Sequence, residues 1–300
     1  MSYLNLFTSI TMYFSGYQKS LEESRYVVFG VPFDATSTYR SGARFAPAAI
    51  REASLNIETY SFRSNVDIED LGLHDSGDLH VSGNLEETLK RLDLVCRDIM
   101  GLDKIPIIIG GEHTITLGAS RSIDGEFALV SFDAHLDLRD KYMDERVCHA
   151  TFMRRIHEEV KPKRIIEVGT RAVCKEELNY LSEADNIKYV TSQRIIKDNL
   201  ENILREIRGA LSDCSKIYVT LDMDVLDPAF APAVQNPEPE GLSISMLLDI
   251  LLGVCDQRLV AFDLVEVTPH YDYGITALQA AKIIFEVLSH LHRLNLENRG

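Results

Sequence analysis

The chain has 300 residues, 45% of them hydrophobic, with 31 Lys and Arg against 46 Asp and Glu for a formal net charge of −15. That length suits one large α/β domain or two small ones, and the composition is ordinary for a soluble globular protein. The acidic balance argues against a nucleic-acid partner, which needs clustered Lys and Arg, and no apolar stretch approaches the length of a membrane helix.

Residues 1–25 show no clear period and read as an arm or capping segment; residues 26–300 read as a single domain. Strands are expected at Tyr26–Phe29, Val66–Asp70, Ile105–Ile109, Phe127–Phe132, Arg164–Val168, Ile187–Val190, Ile217–Leu221 and Val260–Val265. Many are dense in Val, Ile and Phe without polar alternation, as in strands covered on both faces. Between them, apolar residues recur at helical spacing over Leu85–Met100, Asp198–Leu211, Ile244–Cys255 and Thr276–Leu291. Pro47 suits the first turn of a short helix running through Ala53. The alternation predicts a three-layer α/β/α sandwich around a mostly parallel sheet of about eight strands. The first basic residue is Lys19, so the amino terminus lacks the charged region of a signal peptide. Five widely spaced cysteines without a Cys-x-x-Cys pair fit a reduced cytoplasmic protein.

Two acidic strings follow expected strands: Asp133-Ala134-His135-Leu136-Asp137 and Asp222-Met223-Asp224. Open parallel sheets place ligand sites beyond the carboxyl ends of their strands, and alternate residues of extended chain point the same way. Asp133, His135 and Asp137 are therefore expected to converge, as are Asp222 and Asp224. A third strand ends in Gly110-Gly111-Glu112-His113-Thr114, which adds His113. Packed carboxylates repel and are costly to desolvate without cations. Two imidazoles with four carboxylates suit Mn²⁺ or a similar borderline ion. Four negative charges match two divalent cations, with two carboxylates bridging ions roughly 3.5 Å apart and a bridging water held as hydroxide.

The three strings, in this order, resemble the metal motifs of the ureohydrolase (arginase–agmatinase) family. Further matches are Gly30-Val31-Pro32-Phe33-Asp34, Ser41-Gly42-Ala43-Arg44-Phe45-Ala46-Pro47 and Val265-Glu266-Val267-Thr268-Pro269, so the resemblance runs from about residue 26 to the carboxyl terminus. It implies that His113, Asp133, Asp137 and Asp222 hold one Mn²⁺ and that Asp133, His135, Asp222 and Asp224 hold the other, with Asp133 and Asp222 as bridges. It also implies that Glu266 orients a guanidinium and that His149 shuttles a proton, and it suggests a homotrimer or homohexamer. A guanidinium is resonance-stabilised and permanently charged, so its hydrolysis needs a preformed hydroxide, an orienting carboxylate and a proton donor for the leaving amine.

After Asp137 the chain reads Leu138-Arg139-Asp140, without the arginase Asn, and Ala172-Val173-Cys174 follows Arg171 where arginases carry an acid. Asp227-Pro228-Ala229-Phe230-Ala231-Pro232 is similar to the agmatinase branch, which implies a small cationic substrate, agmatine, cleaved to urea and putrescine in polyamine formation. Arginine, guanidinobutyrate and formiminoglutamate stay open as substrates, and Arg139 is the residue expected to meet a carboxylate on one of them. A non-catalytic metal-binding homologue is the alternative of a different class. Many relatives have Gly-Thr-Gly-Thr-Pro where this chain has Ala233-Val234-Gln235-Asn236-Pro237; Asn236 is the candidate replacement contact in that loop. Arg171 is expected to brace carboxylates at the rim or to form a packing salt bridge.

Overall fold

The computed structural model describes residues 2–297. Its strands are β1 Thr8–Ser9, β2 Tyr26–Gly30, β3 Tyr60–Ser61, β4 Val66–Asp67, β5 Leu73–Leu79, β6 Ile105–Ile109, β7 Ala128–Phe132, β8 Arg164–Thr170, β9 Ile187–Thr191, β10 Ile217–Asp222 and β11 Leu259–Val265. Its α-helices are α1 Tyr3–Phe7, α2 Ala46–Ser54, α3 Leu85–Gly101, α4 Ile115–Ser120, α5 Phe152–Arg155, α6 Lys175–Glu183, α7 Ser192–Lys197, α8 Leu200–Ala210, α9 Ile244–Val254 and α10 Ile275–Glu297.

Nine strands form one sheet in the order β1-β5-β2-β6-β11-β10-β7-β8-β9. Every pair is parallel except β1 with β5 at the edge. Successive strand residues supply opposite faces. Val28, Ile107, Val130 and Val219 pack with α2, α7, α8, α9 and α10. Val27, Phe29, Ile108 and Leu129 pack with α1, α3, α4 and α5. Burying each such side chain contributes about 1.5–3 kcal/mol, which is why the central strands read as unbroken apolar runs. On α10 Ala277, Ala280, Ala281, Ile284, Val287, Leu288 and Leu291 recur at helical spacing, and from Ile283 to Ser289 the helix is buried on every side. Asn84 starts α3 by accepting the Glu87 amide at 3.1 Å.

The segment ahead of residue 26 lies against this sheet. Leu4 is buried among the residues around α3, and Thr8 and Ser9 pair with Leu79 and Asp78.

One expected strand is corrected. Val66–Asp70 is not in the sheet: β4 pairs only with β3, and Ile68–Asp70 is a 3₁₀ turn. The sheet strand is β5, Leu73-His74-Asp75-Ser76-Gly77-Asp78-Leu79, whose polar composition hides it. Its acids are matched inside the fold. Arg51 on α2 reaches Asp75 Oδ2 at 2.8 Å and Asp78 Oδ1 at 2.6 Å, with the guanidinium fully buried. With the edge strand β1 the sheet reaches nine strands rather than about eight.

The topology puts β6, β11, β10 and β7 side by side in mid-sheet, all pointing the same way. Neighbouring strands lie about 4.8 Å apart, so four strand ends fit within roughly 15 Å. Each of those ends is followed by chemistry: Gly110–His113, Glu266, Asp222–Asp224 and Asp133–Asp137.

Candidate functional site

His113 reaches the rim through a tight turn after β6. A Cβ on Gly111 would lie 1.8 Å from the Phe33 carbonyl oxygen, so only glycine allows that approach. The His113 ring is buried and its Nε2 lies 2.8 Å from Thr220 Oγ1. The Thr220 hydroxyl donates to Asp263 Oδ1 at 2.5 Å, and the Thr116 hydroxyl donates to Asp263 Oδ2 at 3.0 Å; the Tyr218 hydroxyl donates to the same carboxylate. Since Thr220 gives its single proton to Asp263, its oxygen accepts from His113 Nε2–H. In the neutral ring Nδ1 then carries the lone pair. That atom is buried and has no hydrogen-bond partner. It faces Asp133 Oδ2 at 3.0 Å, Asp222 Oδ2 at 3.3 Å and Asp137 Oδ2 at 3.9 Å.

The acids arrive by turns rather than by continued strand. Asp133 follows β7, and its Oδ1 accepts the His135 amide at 2.6 Å. Asp137 has φ +51°, a left-handed conformation that costs a non-glycine residue about 1–3 kcal/mol. Asp222 ends β10 and its Oδ1 accepts the Asp224 amide at 2.8 Å, closing a 3₁₀ turn. Asp224 ties the two strings together: its Oδ1 accepts the Ala134 amide at 3.1 Å, and its Oδ2 lies 3.0 Å from His135 Nδ1. The alternation expected of extended chain is thus replaced by turns that achieve the same convergence. Two ligand-capable groups result, His113 with Asp133 and Asp137, and Asp133 with His135 and Asp224; in each, the donor atoms lie within 4.8 Å of one another. Asp133 belongs to both.

The electrostatics ask for cations. Burial, then the Asp133 charge, pushes Asp137 well above the ordinary carboxylate range. Burial, then Asp224 and Asp133, does the same to Asp222. Burial opposes a charge on His113, but Asp133, Asp137 and Asp263 outweigh it and raise the ring to about 9. Asp133 is the exception: burial would raise it, yet the two imidazoles beside it hold it below the ordinary range. Among the described residues, no Lys or Arg pairs with any of these four acids; their ion-pair partners are His113 and His135. An orphaned imidazole nitrogen facing three carboxylates, with oxygen donors in excess and no thiol in either group, fits a pair of divalent ions of the Mn²⁺ type.

Glu266 follows β11 with φ +70°. Its Oε1 accepts the His113 amide at 2.5 Å, while Oε2 is buried without a partner. Burial, then Asp222, raises this carboxyl well above its usual range. His149 Nδ1 stands 3.8 Å from Glu266 Oε1, and its Nε2 lies 2.8 Å from Thr38 Oγ1. Burial, followed by the neighbouring His135 and His113, lowers His149 to about 4, so this ring is neutral at pH 7 when no cation occupies the site.

A cleft of about 710 Å³ opens over His135 and Asp137. Arg139 and Asn236 stand on its wall, apart from the ring of acids. The Arg139 guanidinium lies 5.0 Å over the Tyr142 ring. Arg171 forms no ion pair among the described residues: its three nitrogens donate to the carbonyls of Gly169, Asp224, Val225, Leu226, Glu238 and Pro239, locking two loops together. Sequence reading missed Asp263, Thr220, Thr116, Tyr218 and Thr38. Asp263 alone leaves a signal, an acid inside an apolar strand, which is rarely buried unless paired.

The arginase-family profile matches residues 24–289. The agmatinase of Bacillus cereus is 33% identical over 276 residues, spanning 90% of this chain and 92% of that protein. The guanidinobutyrase of Pseudomonas aeruginosa is 34% identical over 269 residues, spanning 86% of this chain and 84% of that protein. The crystal structure of the agmatine ureohydrolase of Thermoplasma volcanium superimposes with a TM-score of 0.86 at 35% identity, covering 93% of this chain and 94% of that one.

Proposed function

The chain belongs to the arginase family, and from that premise we propose that it is a two-metal amidinohydrolase that releases urea from agmatine. The observation that carries this reading is Glu266 Oε2, a buried carboxylate oxygen left without a partner beside an acidic ring that no Lys or Arg among the described residues pairs with. A carboxylate so placed accepts a guanidinium N–H, and charge-assisted contacts of this kind are among the strong ones.

His113, Asp133 and Asp137 would hold one Mn²⁺ and Asp133, His135 and Asp224 the other, with Asp222 between them, its Oδ2 3.3 Å from His113 Nδ1. When bound, the ions supply an activated water and the positive charge that this ring lacks. The protein's own groups do the rest. Glu266 fixes the guanidinium plane, and its left-handed backbone aims the carboxylate into the site. Thr38 holds His149 Nε2, which leaves Nδ1 turned toward Glu266 as the atom that takes up and passes on a proton. In the overall reaction the oxygen of water adds to the guanidino carbon, the bond to the substituted nitrogen breaks, and both protons of the water end on the departing amine, which leaves as an ammonium beside neutral urea.

Agmatine is favoured over arginine because Ala172-Val173 stands where arginases carry an acid. A second reading, guanidinobutyrate, is favoured by Arg139, whose guanidinium has only the Tyr142 ring as a partner among the described residues. Five unpaired cysteines support a reducing compartment. The test is urea release with Mn²⁺ from agmatine, arginine, guanidinobutyrate and formiminoglutamate at equal concentration. Agmatine is expected to lead in kcat/KM; no urea from any of the four overturns the reading.

A further inference from the structure

We propose that Glu238 is the specificity residue that holds the cationic tail of the substrate at the mouth of the cleft, an inference that rests on the agmatine reading above. Glu238 lines the same cleft as His135 and Asp137. Its carboxylate makes no hydrogen bond or ion pair with another described residue; its one polar contact is through the backbone, whose oxygen accepts Arg171 Nη2 at 2.8 Å.

The other acids of the cleft are already engaged. Asp137 belongs to the ligand ring. Glu177 spends Oε1 on the Leu138 amide at 3.1 Å and Oε2 on the Cys174 amide at 2.8 Å. Arg171 spends its N–H groups on carbonyls. The wall charges whose side chains make no hydrogen bond or ion pair among the described residues are therefore Glu238 and Arg139; the Arg171 charge that Glu238 also feels is already committed to carbonyls. They do not pair with each other, and Arg139 lies over Tyr142.

Glu238 is also held rigidly. It sits between Pro237 and Pro239, and each proline fixes its own φ while restricting the residue before it to extended backbone. Arg171 Nη2 bonds the Glu238 oxygen and the Asp224 oxygen, at 2.8 and 2.6 Å, so this loop is clamped to the turn that carries a candidate metal ligand. A free, pre-organised carboxylate loses little entropy on meeting a cation. Its place suits the far end of the substrate. The Gln235 amide donates to the Glu266 carbonyl at 3.2 Å, and the three residues from Gln235 to Glu238 span at most roughly 10 Å. One carboxylate thus takes the guanidinium head and the other, a short chain's length away, takes the ammonium of a linear diamine-like tail.

The test compares wild type and Glu238→Gln, both loaded with Mn²⁺, on agmatine and on pentylguanidine, in which CH₃ replaces the terminal ammonium. Wild type is expected to prefer agmatine. Glu238→Gln should lower kcat/KM for agmatine about tenfold or more, the scale of a lost charged hydrogen bond, almost wholly through KM. Pentylguanidine turnover should be unchanged, which also reports an intact fold. Competitive inhibition by putrescine should weaken by the same factor. If wild type prefers agmatine and Glu238→Gln keeps that preference, Glu238 is not the anchor while the agmatine reading stands. If wild type handles the two guanidines alike or cleaves neither, the agmatine reading itself fails.

Discussion

Two regions of this fold bury clustered carboxylates, and they solve the same electrostatic problem in opposite ways. Near the sheet edge, Asp75 and Asp78 on β5 are met by Arg51, whose guanidinium donates to both and to the Gly77 carbonyl. Burial works against the Arg51 charge, but Asp75 and Asp78 outweigh it and raise its pKa. At mid-sheet, Asp133, Asp137, Asp222, Asp224 and Glu266 have only imidazoles for ion-pair partners among the described residues, and the cluster keeps an orphaned His113 Nδ1 and an orphaned Glu266 Oε2. The first cluster is complete within the chain and is structural. The second is incomplete, and on the proposed reading cations complete the ring and a cationic planar group completes Glu266.

Breaking the edge cluster should have the largest effect on stability. Arg51→Ala strands the buried Asp75 and the half-buried Asp78 and is expected to lower unfolding free energy by about 3–5 kcal/mol, whether or not Mn²⁺ is present. Denaturant unfolding with and without the metal checks this; equal stability to wild type would show that the pair carries nothing.

The mid-sheet cluster should respond to metal instead. Mn²⁺ at a hundred times its dissociation constant is expected to stabilise the fold by about 2.7 kcal/mol, and chelation should remove that gain and the urea release together. Asp133→Ala should abolish both, since Asp133 belongs to both ligand groups. Thermal unfolding across a Mn²⁺ titration checks it. The sign with pH follows from the raised carboxyls and the imidazole at about 9: protons compete with the metal, so affinity rises with pH and falls in acid.

Two smaller effects sharpen the division of labour. Glu266→Gln should keep both metals by elemental analysis yet lose about 1.5–3 kcal/mol in kcat/KM. Thr220→Val removes the acceptor that fixes the His113 tautomer, and metal affinity should fall about 10- to 100-fold. Competition with a fluorescent chelator measures that fall independently of turnover; unchanged affinity would show the tautomer is set elsewhere.

Legibility in the sequence followed the same contrast. The mid-sheet strands were readable because they are apolar on both faces, and the acidic strings stood out against them. Strand β5 was unreadable because Asp75, Ser76 and Asp78 break every strand pattern, and only the distant Arg51 explains them. Asp263, Thr220, Tyr218 and Thr116 come from α4, β10 and β11 and meet only through packing, so no local spacing announces their network. Arg171 reads as an ion-pairing residue but serves backbone carbonyls, a choice that sequence does not encode locally. The carboxyl-terminal residues 298–300 of the expected domain lie outside the described residues.

The central claim is that the mid-sheet acids are a cation site and the edge acids are not. It is tested most directly by crystals grown with Mn²⁺ and an anomalous difference map at the manganese edge. Two peaks per chain are predicted, one among His113, Asp133 and Asp137 and one among Asp133, His135 and Asp224, with none near Asp75 and Asp78. An empty mid-sheet rim at saturating Mn²⁺ would contradict the account.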